Sequence, residues 1–154
     1  MVTAVHDDFT FREFIVLGGK EKREQKIKEL TELLRLESVL KRKAGRLSGG
    51  WQRRLSIAMA LISEPKILFL DEPTLGLDVI ARSELWDVVR ALKGKSTIIL
   101  TTHYMEEAEA LSDRVAIMKN GKLVIYETVE KIKEIANTDS FEQAFISIVK
   151  GDTK

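Results

Sequence analysis

Apolar residues recur at helical spacing in three stretches of the first two thirds of the chain. The first stretch runs from Lys20 to Leu36, the second starts at Ser48 and ends before Pro65, and Gly94 closes the third. The apolar faces consist of Ile27, Leu30, Leu33 and Leu34, then Leu55, Ala58, Met59 and Ile62, then Leu85, Val88, Val89 and Leu92. This spacing predicts three amphipathic helices, and the charged face of the first is expected to lie in water.

Two short apolar runs between these helices predict strands. One run covers Ile67 to Leu70, and the other covers Thr97 to Thr101, after the third helix. Continuous apolar runs of this length are typical of strands buried on both faces. A strand–helix–strand order predicts that the two strands are parallel and joined by a right-handed crossover.

The last third of the chain predicts a hairpin between short helices. A helix is expected around Met105 to Leu111. Two apolar runs then flank Asn120-Gly121, and this dipeptide is a strong hairpin signal because both residues tolerate positive φ. Two further amphipathic helices follow, one with Val129, Ile132 and Ile135, the other with Phe141, Ala144, Phe145, Ile148 and Val149.

The composition narrows the class of protein. The 154 residues suit one domain, and a net charge of +1 gives no sign of a nucleic-acid partner. The absence of cysteine excludes disulfides and thiolate metal sites. No apolar run approaches the roughly 20 residues that span a bilayer, and no secretory signal is visible. We therefore expect a cytoplasmic chain that meets a membrane only through a partner.

Asp71 and Glu72 directly follow the first predicted strand. The carboxyl ends of parallel strands are where open α/β sheets bind ligands. Two adjacent carboxylates there are costly unless they are compensated, and Mg²⁺ prefers such oxygen ligands. The alternative interpretation is that Asp71 caps a turn and Glu72 lies in solvent.

Two further segments have the composition of ligand sites. Leu47-Ser48-Gly49-Gly50 opens the second helix, where free backbone N–H groups and the helix dipole favour an anion such as phosphate. The alternative is a simple helix start capped by Ser48. His103 follows the second strand, so we expect it at the same sheet edge as Asp71 and Glu72.

Taken together, these segments resemble the ATP-binding domain of ABC transporters. Leu47 to Leu55 is similar to the ABC signature, Ile67 to Thr74 to Walker B, Gly76-Leu77-Asp78 to the D-loop, and Thr101 to Glu109 to the switch-histidine segment. The resemblance runs from about Phe9 almost to the C-terminus. Phe141 to Phe145 is similar to the ending of the drug- and antibiotic-exporter branch.

The resemblance implies a fold, with its divisions. It implies a partial P-loop NTPase (ABC ATPase) fold of the α/β class, with parallel strands, crossover helices, a helical subdomain and a C-terminal β-hairpin with helices. The helical subdomain with the signature is expected over about 9–62, the α/β core over about 63–126 and the C-terminal helices over about 127–154.

The resemblance also implies a role for each candidate residue, with ATP and Mg²⁺ as cofactors. Asp71 would hold the metal, Glu72 would orient and deprotonate the attacking water, and His103 would contact the γ-phosphate. The implied nucleotide-contacting set, acting across a dimer, comprises Ser48, Gly49, Gly50, Gln52 and Asp78.

The implied partners are a second ATP-binding protomer and a membrane-spanning transporter subunit, which would dock on the region between Thr10 and Leu47. The implied location is the inner face of the cell membrane.

The sequence departs from the family pattern in two places. A P-loop needs Gly, four residues and then Gly-Lys-Ser/Thr, and no such run is present. Gln25, Gln52 and Gln143 are the only glutamines, and none stands where a Q-loop is expected. We therefore expect an N-terminally truncated domain that does not hydrolyse ATP alone and has an exposed sheet edge and an uncovered apolar face.

Two other functions fit part of the pattern. One is the C-terminal lobe of a DNA-maintenance ABC-type ATPase, which would explain the missing P-loop but predicts a long coiled coil before Leu47. The other is a non-enzymatic module that pairs with a full-length ATPase and offers Ser48, Gly49 and Gly50 to its nucleotide. The first hypothesis remains an exporter subunit.

Overall fold

The computed structural model describes Thr10 and residues 20–151. The helices are α1 (Lys20–Leu34), α2 (Gly49–Leu61), α3 (Val79–Leu92), α4 (Met105–Leu111), α5 (Val129–Ile135) and α6 (Phe141–Lys150). The strands are β1 (Ile67–Asp71), β2 (Thr97–Thr101), β3 (Val115–Lys119) and β4 (Lys122–Glu127), and short 3-10 turns cover Glu37–Val39 and Ala44–Arg46. The expected mixed α/β architecture is confirmed. The start of the family resemblance, at about Phe9, lies outside the described residues.

The chain divides into two compact units, one up to Thr101 and one from Thr102. In the first unit, β1 and β2 pair in parallel, with Ile67 opposite Thr97 and Asp71 opposite Thr101. This confirms the parallel pair predicted from the strand–helix–strand order. The expected division at about 62 and 126 stays a prediction.

The core of the first unit lies among its helices and beneath one face of the sheet. Leucines at helical spacing make α1 and α3 amphipathic, and these are the side chains that the fold buries. Its almost fully buried large apolar side chains are Leu30, Leu34, Leu36, Leu55, Leu85, Val88 and Leu92. Leu68 and Leu70 of β1 are 5% and 3% exposed.

The prediction that both strands are buried on both faces is wrong. Ile67 and Phe69 of β1 are 51% and 61% exposed, and Ile99 of β2 is 43% exposed. Side chains alternate between the faces of a strand, so one face of this sheet is covered and the other is open. A continuous apolar run in the sequence does not show which face of the strand is covered by other elements of the chain. As far as Thr10 and residues 20–151 are concerned, the expected uncovered apolar face is confirmed.

The second unit packs a hairpin against two helices. β3 and β4 pair antiparallel around Asn120 and Gly121, whose φ angles are 50° and 73°. Both angles fit the predicted turn. The core of this unit consists of Ile117, Val129, Ile132, Phe141, Ala144 and Ile148. None of the helices described between 20 and 151 combines the length and apolarity that crossing a membrane requires.

Candidate functional site

Asp71 lies at the carboxyl end of β1 and is held by its neighbour on β2. Thr101 is the parallel partner of Asp71. Its hydroxyl Oγ1 donates a hydrogen bond to Asp71 Oδ1. The two side chains therefore share the open face of the sheet with Phe69 and Ile99. Carboxylate and hydroxyl oxygens are donors that suit a hard cation such as Mg²⁺.

Glu72 follows in a left-handed backbone conformation with φ of 45°. Positive φ is uncommon for a residue with a side chain, and such conformations cost roughly 1–3 kcal/mol. The bend is stabilised because the amide of Glu72 donates to both oxygens of Thr101, at 3.1 Å to the carbonyl and 3.3 Å to Oγ1. The side chain is half-buried, and its Oε2 atom is shielded from solvent. The structure thus does not leave Glu72 as a solvated side chain.

Thr101 was not among the predicted site residues, although it contacts both acidic residues. The signal was present in the sequence, because parallel pairing of the two apolar runs sets the last residues of both strands opposite each other. Only the register shows that Asp71 faces Thr101 rather than a neighbour.

Ser48, Gly49 and Gly50 form the start of α2, where the sequence predicted an anion site. Ser48 is at the N-cap position with extended backbone, yet its side chain makes no capping hydrogen bond. The residue is exposed, and the alternative of a helix start capped by the Ser48 side chain is not what the structure has. Backbone N–H groups at such a terminus suit a phosphate.

The two glycines differ in their surroundings. A Cβ on Gly50 would lie 3.1 Å from Cβ of Ala81, whereas a Cβ on Gly49 would lie 3.4 Å from Leu77 Cδ2. Gly50 is buried and Gly49 is exposed. Gly50 therefore has a packing role, since it allows α2 to approach α3 closely.

Gln52 and Arg54 anchor α2 to its surroundings. Gln52 Nε2 donates to the carbonyl of Ala44 at 3.2 Å. Arg54 is 3% exposed, pairs with Glu84 of α3 and has its guanidinium 4.6 Å from the ring centroid of Trp51. These contacts give Gln52 a structural function beside its predicted role toward nucleotide.

Two clefts border the middle of α2. The larger has a volume of about 340 Å³ and lies between Gly49 and the turn Leu75–Leu77. The smaller lies beside Asp71 and Pro73. Arg53 and Ser56 line both clefts. Neither residue was among the predicted site residues, although their spacing from Gly49 places them on the same face of the helix.

Asp78 caps α3. Its Oδ1 accepts a hydrogen bond from the amide of Ala81 at 2.9 Å. Gly76 precedes it with φ of 77°, a conformation that the turn into α3 requires. The predicted role of Asp78 across a dimer remains a prediction.

His103 belongs to the second unit. It lies two residues after the end of β2, is exposed, and its ring centroid is 4.2 Å from that of Tyr104. The amide of Tyr104 donates to Thr102 Oγ1 at 3.0 Å. The placement of His103 beside Asp71 and Glu72 stays a prediction.

The described residues contain no group of three or more His, Asp or Glu side chains placed to hold a metal by themselves. Mg²⁺ typically takes one or two carboxylates and completes its shell with substrate phosphates and water. Asp71 with its Thr101 partner fits such a mode of binding.

Several known proteins are similar to this chain in sequence. Residues 2–75 match the family model "ABC transporter". The chain is 46% identical over 123 residues to Nod factor export ATP-binding protein I of Rhizobium sp. (strain N33), which covers 75% of this chain and 40% of that protein. It is 40% identical over 127 residues to daunorubicin resistance ATP-binding protein DrrA3 of Streptomyces coeruleorubidus, which covers 82% of this chain and 40% of that protein.

A solved structure shares the fold. The structure of an ATP-binding subunit of an ABC transporter superposes with a TM-score of 0.75 at 23% identity, over 94% of this chain and 64% of that one. A parallel strand pair that ends in two adjacent acidic residues, together with a helix that starts at two glycines, is the arrangement that the resemblance implied for this α/β fold. The chain belongs to the ABC family and forms part of its ATP-binding domain. It spans about 40% of the length of the two curated relatives.

Proposed function

We propose that the chain is part of the ATP-binding and ATP-hydrolysing subunit of an ABC-type exporter. The observation that carries this proposal is the Thr101 link, which holds Asp71 and Glu72 together at the carboxyl end of two parallel strands. The export assignment is supported by the two relatives, whose names refer to Nod factor export and daunorubicin resistance. The Phe141 to Phe145 ending adds to that support.

Each site residue has one task in this proposal. Asp71 holds Mg²⁺, which when bound neutralises charge on the transferred phosphoryl group. Glu72 accepts a proton from the attacking water and orients it. His103 contacts the γ-phosphate. Thr101 fixes the carboxylate of Asp71 and the backbone amide of Glu72, which limits how far the two residues have to reorganise during the reaction.

The signature end of α2 serves a different nucleotide. Ser48, Gly49 and Gly50 present a hydroxyl and free N–H groups to the phosphates of ATP held by a second ATP-binding protomer. Gln52 keeps this helix start in place through its bond to Ala44. The turn Leu75–Leu77, which directly precedes Asp78, lines the same cleft as Gly49. The helical region before Leu47 docks on a membrane-spanning subunit, which places the domain at the inner face of the membrane.

The 154 residues do not turn over ATP on their own in this proposal. No P-loop occurs among them, so the N–H groups and lysine that cradle the phosphates must come from elsewhere. Calorimetry with Mg²⁺ and ATP on the isolated chain is expected to show no binding. Clear binding would mean that another surface of this chain replaces the P-loop.

A chimaera tests the catalytic assignment. Residues 20–126 replace their counterpart in Nod factor export ATP-binding protein I, and steady-state ATPase activity is measured. We expect an active chimaera that loses about 100-fold or more in rate on Glu72→Gln, since a general base contributes 10²–10⁴-fold. The matched control is Glu106→Gln, an exposed carboxylate in the first turn of α4.

Two outcomes contradict the proposal in different ways. An inactive chimaera that is folded and binds ATP contradicts the function itself. An active chimaera in which Glu72→Gln and Glu106→Gln behave alike leaves the function and removes the role assigned to Glu72.

A further inference from the structure

Positive charge is concentrated around the start of α2. The whole chain has a net charge of +1, yet no acidic residue occurs between Glu37 and Glu64. The basic residues of this interval are Lys41, Arg42, Lys43, Arg46, Arg53 and Arg54. A chain that is almost neutral as a whole therefore has one stretch with a large local excess of positive charge.

Most of this charge belongs to residues 41–46, which we call the basic segment. All of its cations are exposed, namely Lys41, Arg42, Lys43 and Arg46. Arg54, by contrast, is buried and pairs with Glu84 of α3. The basic segment is thus the part of this interval whose charge faces solvent.

The cations of the basic segment lack the ion pairs that form elsewhere. Lys131, for example, is an exposed cation that lies 2.8 Å from the carboxylate of Glu134. Within residues 20–151, Lys41 and Arg46 lie beyond salt-bridge distance of any carboxylate. The guanidinium of Arg42 donates to the carbonyl of Arg46 at 3.0 Å. The described part of the chain therefore leaves the charge of this segment uncompensated.

The backbone of the basic segment is held in place. Ala44 is 0% exposed, and Leu47, directly after the segment, is 9% exposed. The amide of Arg46 donates to the carbonyl of Lys43 at 3.0 Å. The carbonyl of Ala44 accepts from the amide of Leu47 at 3.1 Å and from Gln52 Nε2 at 3.2 Å. The cations thus project from a fixed turn, and a partner does not have to order the backbone in order to bind.

The chemistry of the segment indicates the kind of partner. Its only apolar side chain is that of Ala44, which is buried. Protein–protein interfaces are built around an apolar core with aromatic anchors, and the segment exposes neither. Anionic phospholipid headgroups require only positive charge, and clusters of about four to eight Lys and Arg residues bind them. A lipid surface therefore fits the segment better than a protein does.

The position of the segment fits the same partner. It lies in the region before Leu47, which the proposed function places against a membrane-spanning subunit. That arrangement brings the segment close to the headgroups around the subunit, where anionic lipids give the inner leaflet a negative surface potential. A nucleic acid fits less well, since it usually requires a basic excess over the whole domain, and this chain has a charge of +1.

We propose that the basic segment is an interaction surface for anionic phospholipid headgroups beside the membrane-spanning subunit. Lys41, Arg42, Lys43 and Arg46 act as positive charges on the lipid phosphates, and this contact adds to the docking of the domain on the subunit. The inference rests on the proposed function, because that function places the domain at the membrane.

Vesicle sedimentation tests this surface with the 154-residue chain. The chain is mixed with vesicles of phosphatidylcholine alone or with vesicles of phosphatidylcholine and phosphatidylglycerol, and the bound protein is measured in the pellet. We expect binding to the anionic vesicles to be tighter by about 100-fold or more, since several cations contribute. This difference should shrink steeply between about 0.1 M and 0.5 M salt, because salt screens exposed charges.

Variants of the basic segment locate the contact. Lys41→Gln, Arg42→Gln and Arg46→Gln combined should weaken binding to anionic vesicles about 100-fold, because each cation near the surface contributes about fivefold. Lys41→Gln alone, which removes no hydrogen bond of the described chain, should weaken it about fivefold. Lys41→Arg, Arg42→Lys and Arg46→Lys combined should bind like the unmodified chain, since a lipid surface recognises charge rather than guanidinium geometry.

The matched control removes the same charge elsewhere. Lys66→Gln, Lys95→Gln and Lys122→Gln combined neutralise three exposed lysines outside the basic segment. We expect this control to bind anionic vesicles nearly as tightly as the unmodified chain. Circular dichroism of every variant shows whether the chain keeps its fold, and Lys41→Gln decides the question if the triple variants do not fold.

Four results would overturn the proposal. Equal binding to both kinds of vesicle would assign membrane contact to apolar side chains, and equal weakening by the segment variant and its control would reduce the effect to net charge. Loss of binding in the charge-conserving variant would indicate a site for an acidic protein segment. Binding of a DNA duplex in place of anionic vesicles would make a nucleic acid the partner.

Vesicle binding requires no nucleotide, so its result is independent of the ATPase assay. An active chimaera, together with a chain that ignores anionic vesicles, would remove the lipid contact and leave the proposed function intact. Charge-dependent vesicle binding together with an inactive chimaera would do the reverse.

Discussion

The start of α2 and the end of β1 both carry predicted site residues, but the fold supports them differently. At α2, Gly50 packs against Ala81, Gln52 bonds Ala44, and Arg54 is buried against Glu84. At β1, Asp71 accepts a hydrogen bond from Thr101 on a sheet face that is open. The first site is thus packed within the described residues, whereas the second borders a face that these residues leave exposed.

The difference between the two sites fits the different roles that the proposed function assigns to them. In the proposed function, the start of α2 acts on a nucleotide held by another protomer and has to keep its shape before that protomer arrives. Asp71 and Glu72 would act on the nucleotide of their own domain, whose phosphates are held by groups outside the described residues. Substitutions near α2 are therefore expected to change the stability of the chain, and substitutions on the open sheet face are not.

The largest expected effect is a difference in stability between substitutions on the two faces of β1. Leu70→Ala should lower the free energy of unfolding by about 2–5 kcal/mol, because a buried leucine leaves a cavity. Phe69→Ala should change it by only about 0.5 kcal/mol, since that ring is exposed. Urea unfolding followed by circular dichroism measures both. Similar losses for the two neighbours would mean that both faces are covered in solution.

The next effect concerns the glycines of α2. Gly50→Ala should destabilise by about 1–3 kcal/mol, because the new Cβ would meet Ala81 at 3.1 Å and the two helices must move apart. Gly49→Ala, with its nearest neighbour Leu77 Cδ2 at 3.4 Å, should be neutral or stabilising by up to about 1 kcal/mol. The same unfolding assay distinguishes them, and a reversed order would contradict the packing role of Gly50.

A smaller effect is expected at Asp78. Asp78→Ala removes the acceptor for the amide of Ala81 and should cost about 1 kcal/mol. Asp78→Asn keeps an acceptor oxygen and should cost a few tenths. If both variants lose the same amount, the charge of Asp78 matters rather than its capping bond.

The smallest expected effect is a pH dependence of stability that arises from the ion pair between Lys26 and Glu64. The bond from the Lys26 ammonium, 2.8 Å long, lowers the pKa of Glu64 below its ordinary value of 4.5. For Lys26, burial opposes protonation, but the bonds to Glu64 and Glu29 outweigh it and raise its pKa. The ion pair of Glu64 therefore contributes to the stability of the fold above pH 4.5, and this contribution is lost as the pH falls through the lowered pKa of Glu64.

Thermal unfolding of the unmodified chain and of Glu64→Gln measures this contribution. The difference in Tm should be present at pH 7 and shrink in acid below 4.5. An unchanged difference across that window would show that the ion pair does not act on stability.

Local chemistry explains what the sequence could predict. The hairpin depends on Asn120 and Gly121, whose own backbone preferences set the turn, and it was predicted with its flanking strands. The ends of α2 and α3 could be predicted in the same way. Pro65 disfavours helical backbone in the residue before it, and Gly94 readily adopts the positive φ that ends a helix. The parallel pairing of β1 and β2 required only the order of elements.

The features that the sequence could not predict depend on long-range geometry. The exposure of Phe69 depends on which elements of the chain pack on the sheet. The residues of the run Ile67 to Leu70 do not indicate which of its two faces is covered. The Thr101 bond to Asp71 depends on register between strands 30 positions apart. The contact of Gly50 with Ala81 depends on how closely two helices approach.

The positive φ of Glu72 has a consequence for how this chain can vary. Glycine or asparagine would adopt that backbone with less strain, since glycine has no Cβ and asparagine tolerates the left-handed region. Either one would favour the folded chain and remove the carboxylate. Relief of the backbone strain at position 72 and retention of its carboxylate therefore require different residues.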